Sequence, residues 1–199
     1  MTIQFGVGTQ GTEIDDRVLA LPGPFVVLHP DAGVLSQMVG KRVLVRWFTQ
    51  PMLEQNPEQL GHDAALWWNS LPRITRDTTE MVLDNELNLW YEFGVSESQQ
   101  GSIETIEGYR TIANWKRRAY KAFRDEAPDC RLHFGAFAPG HKEDGPDNAP
   151  WGWFECLEAH ALTDVEDIHS YWHPDGAGLR DELQWWDSAF RFFRPIGYK

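Results

Sequence analysis

The chain has 199 residues, of which 42% are apolar and 24% charged, and its formal net charge at pH 7 is −12. This composition predicts one globular domain with a single substantial core, and it argues against disorder. The acidic balance disfavours nucleic acid as a partner, and the lack of 18 consecutive apolar residues disfavours a membrane span.

Three short runs rich in β-branched and aromatic residues open the chain and predict strands: IQFGVGT at 3–9, PFVVLHP at 24–30 and RVLVRWF at 42–48. The glycines of GVGTQGTE lack the Lys-Ser/Thr of a phosphate-binding loop and favour an opening strand and turn. The first ten residues, MTIQFGVGTQ, also lack the basic and apolar stretches of a secretory signal, which leaves the localisation open.

The middle of the chain predicts two helices around a fourth strand. EQLGHDAALWWNSL at 58–71 has apolar residues at helical spacing, and Pro72 ends it. The apolar run TEMVLDNE at 79–86 predicts the strand. The segment 102–127 is the strongest helix prediction, with Ser102 as its expected cap and Pro128 after its end.

The last third continues the alternation. RLHFGAFAPG at 131–140 and DVEDIHSYWHP at 164–174 predict strands, and WGWFECLEAHAL at 151–162 and LRDELQWWDSAFRFF at 179–193 predict helices. The final RPIGYK resembles the beginning of a seventh strand. Such alternation predicts parallel strands. We therefore expect an α/β fold of the TIM-type (β/α)8 barrel class, incomplete at the C-terminus, with an open α/β sheet as the alternative.

Trp is unusually frequent, at 10 residues. Trp47, Trp90 and Trp172 follow predicted strands, where a ring could stack on the apolar face of a sugar as well as fill the core. Cys130 and Cys156 have neither CxxC nor Cys/His spacing, and they are expected to be structural thiols. No Gly-x-Ser-x-Gly motif supports acyl transfer.

The order LDNELNLWYEFG, long helix, FGAFAPG, VEDIHSYWHP and RPIGYK resembles the second half of clan-A glycoside hydrolases, which are retaining (β/α)8 enzymes. The likeness is specific over residues 81–199 and only architectural over 1–80, and it looks like a bacterial or phage-encoded member. In that clan an Asn-Glu pair ends the fourth strand, and the seventh strand reads like "kPI...TE". The resemblance implies a polysaccharide or glycan as the ligand and no cofactor.

The resemblance assigns roles residue by residue. Glu86 would be the general acid/base, and Asn85 would hold a sugar hydroxyl beside the reacting carbon. A glycosidic oxygen leaves poorly unless protonated, which requires a carboxyl whose pKa is raised by its surroundings. His169 and Tyr171, at the end of the sixth strand, would contact the substrate or the nucleophile. Arg46 could bind a sugar hydroxyl or a carboxylate.

The nucleophilic carboxylate that the resemblance implies would lie just beyond Lys199. The chain is therefore expected to be a fragment or split product, a remodelled barrel that uses another carboxylate, or a scaffold that lost catalysis. Asp167, on one strand face with His169 and Tyr171, is the first substitute, although a buried structural Asp bonded to His is the alternative. Glu92 and Glu97 are expected to be solvated loop acids. An incomplete barrel also exposes strand edges, which favours a homo-oligomer or a partner chain.

Two His-Pro-Asp tripeptides, at 29–31 and 173–175, could supply metal ligands, but ordinary turn chemistry after a strand explains them, and no metal site is predicted. The function expected from sequence is therefore that of a glycoside hydrolase-like protein acting on a polysaccharide or glycan. The alternative is a non-catalytic carbohydrate-binding or virion-type structural module on the same barrel.

Overall fold

A computed structural model describes residues 7–9, 20, 25–28, 32–47, 50–138 and 155–167 of the chain. Within these ranges six parallel strands form one sheet in the order β1-β2-β3-β4-β5-β6, without reversal. The strands are β1 (Val7–Thr9), β2 (Phe25–Leu28), β3 (Val43–Arg46), β4 (Thr79–Val82), β5 (Leu132–Phe134) and β6 (Val165–Glu166). The predicted α/β class with a parallel sheet is confirmed.

Seven α-helices are described: α1 (Ala32–Gln37), α2 (Pro57–Ser70), α3 (Arg73–Arg76), α4 (Trp90–Phe93), α5 (Gln100–Ile103), α6 (Ile106–Glu126) and α7 (Leu157–His160). Two single turns of 3-10 helix, Met52–Glu54 and Glu97–Gln99, complete the described elements. The predicted helix at 179–193 and the predicted seventh strand at 194–199 lie outside the described residues.

The long helix begins later than the sequence predicted. Thr105 caps α6, because its backbone is extended and its Oγ1 accepts a hydrogen bond of 3.1 Å from the backbone N–H of Gly108. Ser102, the expected cap, instead lies in α5 and donates its hydroxyl to the carbonyl of Gln99. The prediction of one helix from 102 was therefore wrong, because the backbone breaks between α5 and α6.

Replacing Thr105 with alanine should lower the free energy of unfolding by about 1 kcal/mol, because the N–H of Gly108 loses its acceptor. The change can be measured by urea denaturation. Ser102→Ala is the matched control and should change stability by less than about 0.5 kcal/mol, since Ser102 is exposed. Equal losses for the two variants would contradict the assignment of the cap.

One face of the sheet packs on the helices. Alternate side chains of β2 to β5 are buried there and share one core with α2 and α6. These strand residues are Phe25, Val27, Val43, Val45, Met81, Leu132 and Phe134. The two helices approach closely at Gly61, where a Cβ atom would lie 2.1 Å from the carbonyl oxygen of Ala119. A larger residue at position 61 would push α2 and α6 apart.

The other face carries charged side chains near its middle. Glu80 of β4 and His133 of β5 point away from the helical core, since their strand neighbours Met81, Leu132 and Phe134 face it. None of the described helices contributes to the ion pairs of this face, which join residues on or beside β3 to β6. The two faces of the sheet therefore differ in chemistry.

Candidate functional site

The Asn-Glu pair lies in the loop that leaves the carboxyl end of β4. The strand ends at Val82, earlier than predicted, and Asn85 and Glu86 follow in tight turns, with hydrogen bonds from the N–H of Leu87 to the carbonyl of Asn85 and from Leu89 to Glu86. The side chain of Leu87 is buried in the core. The loop thus presents its polar residues from an anchored backbone.

Asn88 ties this loop to the loop after β5. Its amide donates to the carbonyl of Ala138 at 2.9 Å and accepts from the N–H of Ala138 at 2.8 Å. On the other side, Gln100 donates to the carbonyl of Asn88 and accepts from the N–H of Trp90. These paired hydrogen bonds anchor the backbone just after Asn85 and Glu86.

Asp84, immediately before Asn85, is held in the protein interior. Its Oδ2 lies 2.8 Å from the ammonium of Lys116 and accepts a hydrogen bond of 2.9 Å from the hydroxyl of Tyr120. Lys116 also donates to the carbonyl of Gly135, and Tyr120 accepts from the N–H of Gly135. We call Asp84, Lys116, Tyr120 and Gly135 the buried lysine cluster. It joins the loops that leave β4 and β5 to α6.

Besides Asp84, two more buried carboxyls lie at the carboxyl end of β4. Glu86 is 5% exposed and Glu92, on α4, is 8% exposed. The amide of Asn85 donates to Oε1 of Glu92. Burial is the largest cause that raises the pKa of Glu92, to about 7, and the charge of Glu86 adds to it, while the Asn85 hydrogen bond and the charge of Arg46 oppose it. Glu92 therefore interacts with three neighbours: it accepts a hydrogen bond from Asn85, and the charges of Glu86 and Arg46 shift its pKa in opposite directions.

Aromatic rings flank these carboxyls. Tyr91 is 49% exposed, and its ring makes an edge contact with Trp90, with 5.3 Å between the centroids. Burial, together with the charges of Glu92 and Glu86, raises the pKa of Tyr91. The ring of Tyr91 thus lies within electrostatic range of both acids while remaining open to solvent.

The charged face of the sheet carries a continuous row of ion pairs below this site. Glu80 contacts Arg42 at 2.6 Å and Arg131 at 3.4 Å, and its Oε2 lies 2.6 Å from Nε2 of His133. Nδ1 of His133 in turn lies 2.7 Å from Asp167. We call these five residues the strand-face ion row. Asp167 is thus bonded to a histidine, His133, as the structural alternative predicted, but its side chain is 21% exposed and not buried.

The remaining predicted site residues are only partly accounted for. Trp47 is partly buried against the core, and its ring centroid lies 5.2 Å from that of Trp67 on α2. Trp47 therefore packs on the core, whereas the charge of the preceding residue, Arg46, lowers the pKa of Glu92. Residues His169, Tyr171, Trp172 and both His-Pro-Asp tripeptides lie outside the described residues. Cys130 and Cys156 are free and buried, as predicted, and burial raises the pKa of each thiol.

The prediction that Glu92 is a solvated acid was wrong, whereas Glu97 is exposed as expected. Glu92 faces inward because Leu89, Glu92 and Phe93 share one side of the helical turn at i, i+3 and i+4, and Phe93 is buried in the core. The helical spacing of these three residues is the sequence pattern that could have predicted the burial of Glu92. The positions of Tyr91 and Asp84 were also missed: both lie within LDNELNLWYEFG, but the sequence analysis gave neither of them a role.

The basic segment at 116–124 is not a free positive surface. Lys116 belongs to the buried lysine cluster. The other basic side chains of this segment each contact an acid: Arg117 with Glu158, Arg118 with Glu58, Lys121 with Asp125 and Arg124 with Asp164. These pairs neutralise the segment locally.

Among the described residues, no group of three or more His, Cys, Asp or Glu side chains has an arrangement suited to a metal ion. In the same part of the chain, every helix is too short or too polar to cross a membrane. Comparisons with family models, with curated proteins and with solved structures found no match to this chain.

Proposed function

We propose that this chain binds a glycan at the carboxyl ends of β3 and β4 and hydrolyses a glycosidic bond there, with Glu86 as general acid/base. The observation that carries the proposal is the pair of buried carboxyls, Glu86 and Glu92, set beside the amide of Asn85. Paired carboxyls are the groups that glycoside hydrolysis uses. The resemblance of LDNELNLWYEFG to clan-A enzymes supports the same assignment.

The chemistry explains why the acids should be buried together. A glycosidic oxygen becomes a good leaving group only when it receives a proton as the bond breaks. A carboxyl holds that proton near neutral pH when burial and a neighbouring carboxylate raise its pKa. The charge of Glu86 contributes to raising the pKa of Glu92 to about 7.

A (β/α)8-type barrel is the proposed scaffold. Its support is the sequential order of six parallel strands without reversal. An open doubly wound sheet reverses its strand order and covers both faces with helices. Here the charged face carries the strand-face ion row, which a barrel would enclose between its own strands. Asn85 and Glu86 then lie at the carboxyl ends of the strands, where barrel enzymes place their chemistry.

The rings of Trp90 and Tyr91 are the proposed sugar contacts. An exposed aromatic ring offers a flat apolar surface to the C–H face of a sugar, while its edge and hydroxyl accept polar neighbours. Tyr91 combines that exposure with electrostatic proximity to Glu86 and Glu92. A sugar stacked on Tyr91 would therefore be held beside both carboxyls.

Glu86→Gln tests the proposal, because glutamine keeps the size of the side chain and cannot donate an acidic proton. Hydrolysis of a panel of soluble polysaccharides, measured as new reducing ends, should fall by about 100-fold, within the range of general acid catalysis. Binding of the same polysaccharide should persist. Glu97→Gln, an exposed acid on the following turn, is the control and should leave the rate unchanged.

Each alternative gives a distinct result. Equal rates for the wild-type protein and Glu86→Gln would contradict the role of Glu86. A wild-type protein that binds a polysaccharide but hydrolyses none of the panel would support the non-catalytic carbohydrate-binding module instead. A protein that neither binds nor hydrolyses any member of the panel would contradict both.

A further inference from the structure

Two buried acceptor atoms near Glu86 belong to residues that are seven positions apart in sequence but joined by a hydrogen bond. Asn85 uses its Nδ2 to donate to Oε1 of Glu92, which leaves Oδ1 of Asn85 and Oε2 of Glu92. Within the described part of the chain, neither of these two oxygens has a hydrogen-bond partner. Buried polar atoms in folded proteins are nearly always satisfied, so two such atoms one hydrogen bond apart require an explanation.

We propose that Glu92 is a ligand-binding residue, which holds the amide of Asn85 with one carboxyl oxygen and binds a sugar hydroxyl with the other. This inference rests on the proposed function for the identity of the ligand. It adds a second polar contact to the one that the resemblance assigned to Asn85. The ligand it implies is a neutral polyol with two neighbouring hydroxyls, one for Oδ1 of Asn85 and one for Oε2 of Glu92.

The surrounding charges select a neutral ligand over an anion. Asp84 and Glu86 on the loop after β4 both raise the pKa of Glu92, and Arg46 on β3 is the cation that lowers it. The turns that pack beside α4 add Glu54 and Glu97, which are exposed. A phosphate or carboxylate would therefore meet more negative than positive charge, whereas hydroxyl groups carry no charge and can donate to both oxygens.

A purely structural role accounts poorly for Glu92. Its neighbours on the same side of α4 are apolar, and an apolar side chain at this position would fill the same space without placing an acid near Glu86. Within the described residues, one oxygen of this buried carboxyl has no hydrogen-bond partner. A buried acceptor without a donor costs free energy, and a bound ligand that donates to it would remove that cost. Glu92 also has a pKa of about 7, so its free oxygen can accept or donate according to pH.

Glu92→Gln isolates the contact to the ligand. Glutamine retains an oxygen for the amide of Asn85 and keeps the side-chain volume, but it replaces the free oxygen by an NH2 group that cannot accept. Affinity for neutral hexasaccharides of glucose, xylose and N-acetylglucosamine would be measured by calorimetry at pH 6, 7 and 8. At pH 8, where the carboxylate of Glu92 accepts, we expect at least a 10-fold loss for the hexasaccharide that the wild-type protein binds, and a smaller loss at pH 6. The matched control Glu97→Gln should show no loss.

The pH profile separates a ligand contact from a packing role. The affinity of the wild-type protein should rise with pH, with a midpoint near pH 7, because the charged carboxylate accepts from the hydroxyl. Glu92→Gln should bind with the same affinity at all three pH values. A carboxyl carbon NMR titration of the wild-type protein needs no variant, and it should show a Glu92 midpoint near 7 that moves when the hexasaccharide is added. A midpoint near 4.5 that the hexasaccharide leaves unchanged would overturn the proposal.

The outcomes distinguish this inference from the proposed function. If the wild-type protein and Glu92→Gln bind the hexasaccharide equally well and with the same pH profile, Glu92 is not a ligand contact, while the proposed function stands. If the wild-type protein binds none of the three hexasaccharides and neither binds nor hydrolyses any polysaccharide of the panel, both proposals fail together. A 10-fold loss confined to Glu92→Gln, with the unfolding midpoint unchanged, supports both.

Discussion

Replacing Lys116 with methionine is expected to lower the free energy of unfolding by about 3 to 5 kcal/mol, although the two side chains have similar length and shape. The reason is the carboxylate that remains. Asp84 and Lys116 are both 0% exposed, and their charged atoms lie 2.8 Å apart. Without the ammonium, Asp84 must keep an unpaired buried charge or take up a proton. The variant also removes the donor to the carbonyl of Gly135.

The surroundings of Lys116 strengthen this expectation. Its ammonium lies 4.0 Å from the centroid of the Phe134 ring, so the cation also gains from the face of the ring. Burial raises the pKa of Asp84, and the positive charge of Lys116 opposes that change. The loss of stability caused by Lys116→Met should therefore be smaller at low pH than at pH 7. At low pH, Asp84 can be protonated in both the folded and the unfolded protein.

Urea denaturation at pH 7 measures the effect. Lys121→Met is the control, because Lys121 lies on the same helix in an exposed pair with Asp125 and should change stability by less than about 0.5 kcal/mol. The double variant Asp84→Asn with Lys116→Met should recover part of the loss, since asparagine carries no charge and can still accept from Tyr120. A Lys116→Met variant as stable as the control would contradict a buried ion pair at this place.

The separate strands and helices were within reach of the sequence, because they follow from local patterns, whereas the order of the strands depends on pairing between distant segments. Val43, Val45 and their polar or half-exposed neighbours alternate with period two, and α2 and α6 repeat apolar residues with helical period. The start of α6 was missed because Ser102 and Thr105 are both good caps by residue type. The backbone break between α5 and α6, which the sequence pattern does not reveal, makes Thr105 the cap and not Ser102.

The charged residues were harder to predict, because their burial depends on contacts distant in sequence. Lys116 stands in a run of basic residues that looks like a solvated surface, yet its partner Asp84 lies on the loop after β4. Glu92 stands six residues after Glu86 and faces inward only because Phe93 anchors the short helix α4 in the core. The Asn-Glu loop itself could be located, since a polar pair after an apolar run marks the end of a strand.

Replacing Glu80 with glutamine is the second change for which we expect a large effect, a loss of about 3 kcal/mol at pH 5 to 6. Burial alone would raise the pKa of Glu80, but hydrogen bonds from His133 and Arg42 outweigh it and lower the value to about 2. Burial likewise lowers the pKa of His133, and its contacts with Asp167 and Glu80 outweigh that and raise it to about 9. His133 is therefore positively charged at neutral pH.

The direction of the pH dependence follows from these values. The pKa of Glu80 is lowered from 4.5 to about 2, so its contribution is complete above pH 4.5 and is lost as the pH falls toward 2. The pKa of His133 is raised from 6.5 to about 9, so its contribution is complete below pH 6.5 and is lost as the pH rises through 9. Each difference corresponds to roughly 3 kcal/mol, and because both include the Glu80–His133 contact, they do not add.

The measurement is the difference in the free energy of unfolding between the wild-type protein and Glu80→Gln from pH 3 to pH 10. It should be largest and nearly constant between pH 4.5 and 6.5 and should shrink on both sides of that range. Glu97→Gln, which changes an exposed acid, should show a difference below about 0.5 kcal/mol throughout. A difference for Glu80→Gln that does not vary with pH would mean that lost packing, rather than the charged pair with His133, accounts for the destabilisation.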